Sequence, residues 1–369
     1  MNNHLQYLHI DHPLVLESGE KLERFTIAYQ AWGQLNADKS NVVWVCHAFT
    51  GNAQPQAWWG ELIGEGRLFD PAQHYIVCAN MVGSCYGSTG PDHINPATGQ
   101  PYGLAFPLVT TRDMAAAHDL LRQHLGLRAI WLGIGGSMGG QQLVEWAILQ
   151  PTLFQHLCLL ATNARHSPWG IAFNEAQRMA LQSDPTLGTQ APEAGRKGIE
   201  AARAVAMLSY RHYQAYHQTQ AEAEQDKISD FKAGSYQQYQ GYKLWQRFSP
   251  LAYWSLSKSM DSHNIARKRG SVADALAHIQ ARTLVIGIES DVLFPPSEQA
   301  ELAAHIPQAH LEVISSPYGH DGFLTESDKI TRLIERFLGG TLQPKQSAPL
   351  LRSSKSSFNP YVLPGSEAF

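Results

Sequence analysis

The stretch from Ala129 to Ala147 restricts this chain more than any other. An apolar run, Ala129-Ile130-Trp131-Leu132, has the length of a buried strand. Gly135, Gly136, Gly139 and Gly140 then surround a single serine, Ser137. The residues after them suit a helix with an apolar stripe. Gly135-Gly136-Ser137-Met138-Gly139 fits the G-x-S-x-G pattern of a strand–turn–helix nucleophile elbow. A serine on so sharp a turn sits at strained backbone angles, so its neighbours must lack side chains that would strike the strand or the helix. The helix that follows aims free N–H groups at the place where negative charge would develop.

The rest of the chain supplies a sheet for that elbow. Phe25–Gly33 alternates partly and reads as an early strand. Val42–Cys46 is a continuous apolar run of the kind buried on both faces of a parallel sheet. Tyr75–Asn80, His156–Ala161, Arg282–Gly287 and Leu311–Ile314 read as further strands. Helical segments run from Thr110–Asp113 to about Leu125, and from Ser327 to Leu338. Met81–Pro91 is a long irregular loop, a type that tends to carry function. Trp58-Trp59 is expected either to line a pocket or to cover the sheet, with burial the commoner outcome. Between about 162 and 275 the sequence is rich in Gln, Ala, Tyr and His and carries helical patterning. It reads as a helical lid inserted in a core of residues 1–161 and 276–340. Gly198–Tyr213 has apolar residues at helical spacing, and Ala221–Lys227 reads as a charged, solvated face. The Ser/Pro-rich residues 341–369 have no periodicity and read as a poorly packed tail.

Composition narrows the class. The hydrophobic fraction of 44% supports a sizeable core, and a net charge of −4 leaves no basic footprint for nucleic acid. No signal peptide is expected from the polar, mixed N-terminal residues, and no run of about 18 apolar residues is found. Cys46, Cys78, Cys85 and Cys158 show no C-x-x-C spacing and read as thiols of a reducing compartment. These features together point to a cytoplasmic protein. No metal-ligand spacing is found, and no bound cofactor is expected.

Alternating strands and helices place functional residues at the C-terminal ends of parallel strands. Three residues fall there in chain order: Ser137, Asp291 and His320. That is the nucleophile–acid–histidine order of α/β hydrolases. A serine hydroxyl needs a base within hydrogen-bond reach, which His320 would provide. Asp291 would fix the imidazole tautomer and stabilise the imidazolium. In this fold the backbone N–H groups of Phe49, after the Val42–Cys46 strand, and Met138 would form the oxyanion hole. His47 is expected to be structural, hydrogen-bonded to its own loop.

The motifs go beyond a generic hydrolase. Cys46–Gly51, Cys78–Pro91, Gly135–Gly140, Ser290-Asp291 through Pro295-Pro296, and Gly319–Leu324 together resemble the homoserine O-acetyltransferase family, over about residues 5 to 340. The resemblance implies an α/β-hydrolase fold and a ping-pong reaction. Ser137 would take an acyl group from acetyl-CoA, the co-substrate, and pass it to L-homoserine in methionine biosynthesis. It implies that Arg203, in Ala201–Val205, binds the substrate carboxylate, that Tyr210 lies near the same site, and that Asp321 contacts the amino group. Arg211 reads as a surface ion-pair residue. The family commonly forms homodimers through its lid helices. The segments 184–198 and 212–242 depart from the family pattern. They leave the donor open between acetyl- and succinyl-CoA, and the acceptor between homoserine and serine. A serine ester hydrolase is the alternative from another class.

Overall fold

The computed structural model describes residues 4–342. The stretch read as a tail lies outside the described residues, apart from Thr341 and Leu342. The strands are β1 (Gln6–Ile10), β2 (Leu14–Val15), β3 (Lys21–Leu22), β4 (Phe25–Trp32), β5 (Val42–Cys46), β6 (Tyr75–Ala79), β7 (Ile130–Gly136), β8 (Phe154–Leu160), β9 (Arg282–Ile288) and β10 (Ala309–Ile314). The helices are α1 (Pro55–Trp58), α2 (Thr111–His124), α3 (Met138–Leu149), α4 (Pro168–Gln182), α5 (Arg196–Tyr210), α6 (Tyr213–Gln220), α7 (Lys232–Trp245), α8 (Pro250–Asp261), α9 (Val272–Leu276), α10 (Pro296–His305), α11 (Gly322–Thr325) and α12 (Ser327–Leu338).

Eight strands form one sheet in the order β1-β4-β6-β5-β7-β8-β9-β10, and β2 and β3 make a small separate hairpin. From β6 to β10 every neighbouring pair is parallel, whereas β4 runs antiparallel to both β1 and β6. This is an α/β-hydrolase fold. Its central strands lie between two cores. Val42, Trp44 and Cys46 of β5 point into one, and Val43 and Val45 into the other, as the two-residue period of a strand requires. The first core takes Met114 and Leu121 of α2 with Leu143 and Trp146 of α3. The second takes Ile330, Ile334 and Phe337 of α12.

Local sequence explains most boundaries. Helix α2 opens on a capping box in which Thr110 and Asp113 satisfy each other's backbone N–H groups. Several boundaries differ from the sequence reading, among them the start of β10, which is Ala309 and not Leu311. Strand β8 begins at Phe154, two residues earlier than the apolar run suggests. Helix α5 ends at Tyr210, not Tyr213, because His212 turns its ring onto the Gln214 N–H and caps a new helix, α6. Strand β1 was not foreseen. It lies at the sheet edge, so its residues alternate between partial burial and exposure and give little apolar signal.

Between β8 and β9 the chain forms α4 to α9, of which α4 to α8 pack on one another with α5 contacting both α4 and α7. Helix α5 also reaches the Gly319–Asp321 turn after β10. Cys46, Cys78 and Cys158 are buried free thiols, and burial pushes their pKa values up.

Candidate active site

Strand β7 delivers Ser137 at φ 54°, ψ −126°, a backbone conformation rare for a residue with a side chain. Three hydrogen bonds hold it there. The Ser137 N–H donates to Leu160 O at 2.9 Å, while Ser137 O accepts from Thr162 Oγ1 at 2.8 Å and from Gln141 N at 3.2 Å. The glycines prove necessary for space. A Cβ on Gly139 would stand 2.1 Å from Cys46 O, and one on Gly135 would stand 2.7 Å from the Gly139 backbone. Strand β5 and helix α3 therefore approach too closely at the elbow for any side chain there.

Strands β9 and β10 deliver the other two residues. His320 Nε2 lies 2.9 Å from Ser137 Oγ, and His320 Nδ1 lies 2.6 Å from Asp291 Oδ2. A carboxylate accepts, so Nδ1 carries the proton; Nε2 is then the free acceptor for the serine O–H. Asp291 Oδ1 accepts the Leu293 and Phe294 N–H groups at 2.8 and 2.9 Å, which fixes the carboxylate in its own loop. All three residues are buried. The Phe294 ring stacks on the imidazole at 4.9 Å and 16°, and Phe323 meets it edge-on at 5.3 Å. These rings restrict rotation of His320.

The loop after β5 brings Phe49 to the same place. Met138 is the first residue of α3, where a backbone N–H has no partner within its own helix. His47, expected to be structural, donates from Nδ1 to Ala48 O at 2.9 Å and accepts the Met81 N–H on Nε2 at 3.2 Å. Burial pushes its pKa down to about 4, so it stays neutral and braces the loop. The long Met81–Pro91 loop is a second brace. Asn80, just before it, accepts the Ala53 N–H at 2.7 Å and donates to Tyr86 O at 2.8 Å.

A cavity of about 470 Å³ opens on these groups and is lined by Ser137, His320, Phe49, Arg203, Tyr210 and Asp321. Its size suits a small-molecule site. The Arg203 guanidinium lies over the Tyr210 ring at 5.2 Å, two helical turns along α5. Burial pushes the Tyr210 phenol up to about 12, against the opposing pull of Arg203, so it remains a neutral hydroxyl. Of the paired tryptophans, Trp59 is buried and donates to Phe323 O at 3.0 Å, while Trp58 lines the cavity.

Two cationic residues, and the partner of a third, escaped the sequence reading. Lys243 and Arg247, on and just beyond α7, also line the cavity. Arg247 donates to Thr50 O at 2.7 Å and to the Tyr86 hydroxyl at 2.9 Å, joining the two bracing loops. Arg211 does form an ion pair, but with Asp321, at 2.6 Å. Partners 110 positions apart leave no local signal.

Comparison with known proteins accords with this geometry. Residues 41–327 match the α/β-hydrolase fold family. The chain is 50% identical over 324 residues to the homoserine O-acetyltransferase of Cyclobacterium marinum, covering 88% of this chain and 92% of that protein. The chain belongs to the homoserine O-acetyltransferase family. A second member, from Chlorobaculum tepidum, is 43% identical over 335 residues, covering 90% of this chain and 94% of its own. Among solved structures, a homoserine O-acetyltransferase from Bacillus anthracis superposes with a TM-score of 0.81 at 22% identity, covering 90% of this chain and 98% of its own. Esterase E22 superposes with a TM-score of 0.82, also at 22% identity, covering 91% and 99%. The same fold is thus shared by proteins titled homoserine O-acetyltransferase and esterase, and does not by itself assign a reaction.

Proposed function

We propose that this chain transfers an acetyl group from acetyl-CoA to the γ-hydroxyl of L-homoserine through an acetyl-enzyme on Ser137, giving O-acetyl-L-homoserine and CoA for methionine biosynthesis. The observation that carries this reading is that Arg203 and Asp321 line the same cavity as Ser137. A planar guanidinium suits a carboxylate and an aspartate suits an ammonium, so the pair forms a receptor for a zwitterionic amino acid beside the nucleophile. A simple esterase has no need of both.

The steps follow from the hydrogen bonds. As Ser137 Oγ attacks the thioester carbonyl, its proton passes to His320 Nε2, and Asp291 stabilises the resulting imidazolium. The Phe49 and Met138 N–H groups receive the charge that develops on the carbonyl oxygen. The tetrahedral adduct expels CoA thiolate, which takes the proton from His320. Homoserine then enters with its carboxylate on Arg203 and its ammonium on Asp321. His320 Nε2 removes the γ-hydroxyl proton as that oxygen attacks the acetyl-enzyme, and returns it to Ser137 Oγ when the ester leaves. Tyr210, held neutral, lends a hydroxyl beside the amino acid.

Helices α4 to α8 act in this scheme as a lid, with residues 162–275 set apart from the core formed by 1–161 and 276–340. The lid exposes Trp169, Met179, Leu208 and Tyr213, and a homodimer through the lid helices, as the family resemblance implies, would cover such side chains. The reaction is assigned to the cytoplasm, where CoA thioesters and free amino acids meet.

The test is thiol release from acetyl-CoA or succinyl-CoA, with L-homoserine, L-serine or neither. Release that requires homoserine and prefers acetyl-CoA is expected. Preference for succinyl-CoA or serine would reassign donor or acceptor. Release that ignores the amino acid would make the protein a hydrolase and remove the roles given to Arg203 and Asp321.

A further inference from the structure

Asp321 is already engaged before any amino acid arrives. Arg211 Nε lies 2.6 Å from Asp321 Oδ2, with Asp321 only 15% exposed. Helix α5 ends one residue earlier, and Arg211 is extended at φ −110°, ψ 137°. Its guanidinium also lies 5.6 Å from the centre of the Tyr318 ring, two residues before His320. The backbone beneath is equally close. Gly319, at φ +64°, would place a Cβ 2.8 Å from His212 N and 3.0 Å from Tyr210 O. The end of α5 and the histidine loop thus fit against each other with no room for a side chain, and Arg211 bridges them.

The geometry points to Arg211 as the residue that positions Asp321 for the acceptor's ammonium and so sets specificity for an α-amino acid. This rests on the acceptor reading given above. Arg211 engages Oδ2, and because Asp321 also lines the cavity its other oxygen is the one assigned to the ammonium. It also supplies Asp321 with a permanent counter-charge. Arg203 lines the same cavity, and an Asp321 without Arg211 would be drawn to that guanidinium. The two poles that must bind the two ends of a zwitterion would then neutralise each other. Arg211 keeps them apart without contacting the substrate.

The decisive experiment compares Arg211→Gln and Arg211→Lys with the wild type on two acceptors. One is L-homoserine and the other is 4-hydroxybutyrate, which keeps the carboxylate and hydroxyl but lacks the amino group. Acetyl-enzyme formation without acceptor is followed separately by the burst of free thiol. For Arg211→Gln, kcat/KM for L-homoserine is expected to fall about tenfold or more, mostly in KM, as loss of a charge-assisted contact implies. The value for 4-hydroxybutyrate and the burst rate should change by no more than about twofold. Arg211→Lys should recover part of the loss. If both acceptors lose equally, or if the burst falls in step, Arg211 is only a strap holding α5 to the histidine loop and the inference is overturned. In that case homoserine-dependent turnover by the wild type still stands. A wild type that ignores homoserine overturns the acceptor reading itself, and this inference with it.

Discussion

Asp291 holds both the edge and the face of His320. One of its oxygens accepts from the imidazole, and the other accepts the backbone N–H of Phe294, whose ring stacks on that imidazole at 4.9 Å. Orientation of the base therefore depends on an aromatic contact as well as a carboxylate. Phe294→Leu removes the stacking and keeps most of the volume. It should lower kcat about two- to tenfold, matching the roughly 0.5–1.5 kcal/mol of such ring pairs. Steady-state kinetics with saturating L-homoserine would show it, and an unchanged kcat would mean that the two hydrogen bonds suffice.

Ser137→Ala should abolish transfer by at least about four orders of magnitude, because the remaining triad members cannot act without the nucleophile. Intact-mass measurement gives an independent reading. The wild type mixed with acetyl-CoA alone should gain one acetyl group, and the variant should gain none. An acetylated Ser137→Ala protein would place the covalent step elsewhere.

Arg203→Gln removes the planar cation assigned to the carboxylate. Hydrogen bonds to charged groups contribute about 1.5–3 kcal/mol, so kcat/KM for L-homoserine should fall by roughly 10- to 150-fold. Arg203→Lys should recover only part of this, since an ammonium cannot match a carboxylate with two parallel bonds. A Lys variant as active as the wild type would exclude bidentate binding.

Acid should destabilise the fold through its buried histidines. Burial lowers the pKa of His47 and His118 to about 4, and that of His166 and His263 to about 3. Unfolded, each returns to its ordinary value of 6.5. Below that pH the unfolded chain binds protons that the folded chain does not, so stability is complete above pH 6.5 and declines as pH falls towards 4. Each histidine contributes a slope of up to about 1.4 kcal/mol per pH unit. Urea unfolding at pH 7.5, 6 and 5 should show the midpoint falling steadily, and a flat profile would mean that these rings are protonated in the fold.

Legibility of the sequence tracked burial and locality. Strand β5 was readable because all of its residues are buried and apolar. Helix α12 was readable because one face is buried along its whole length. Edge strand β1, with Gln6 and His9 among its residues, has no such run. The end of α5 carries no Gly or Pro stop, and only the ring of His212 ends the helix there. The meeting of Ser137, Asp291 and His320 was legible because their chain order and their places after strands constrain each other. The Arg211–Asp321 pair and the approach of Arg247 to Thr50 and Tyr86 were not, since each joins residues more than a hundred positions apart.

The sheet order has a consequence for a chain leaving the ribosome. Ser137 and its histidine partner are 183 positions apart, and β9 pairs onto β8, and β10 onto β9, only after the whole of α4 to α9 has been made. A nascent chain folded through β8 would hold Ser137 and the amides of Phe49 and Met138 but neither His320 nor Asp291. Its serine would be an ordinary alcohol, unable to acquire an acetyl group and lose it to water. On the proposed mechanism, chemistry begins only when the last two strands dock, after the helices that carry Arg203 and Tyr210 have been synthesised.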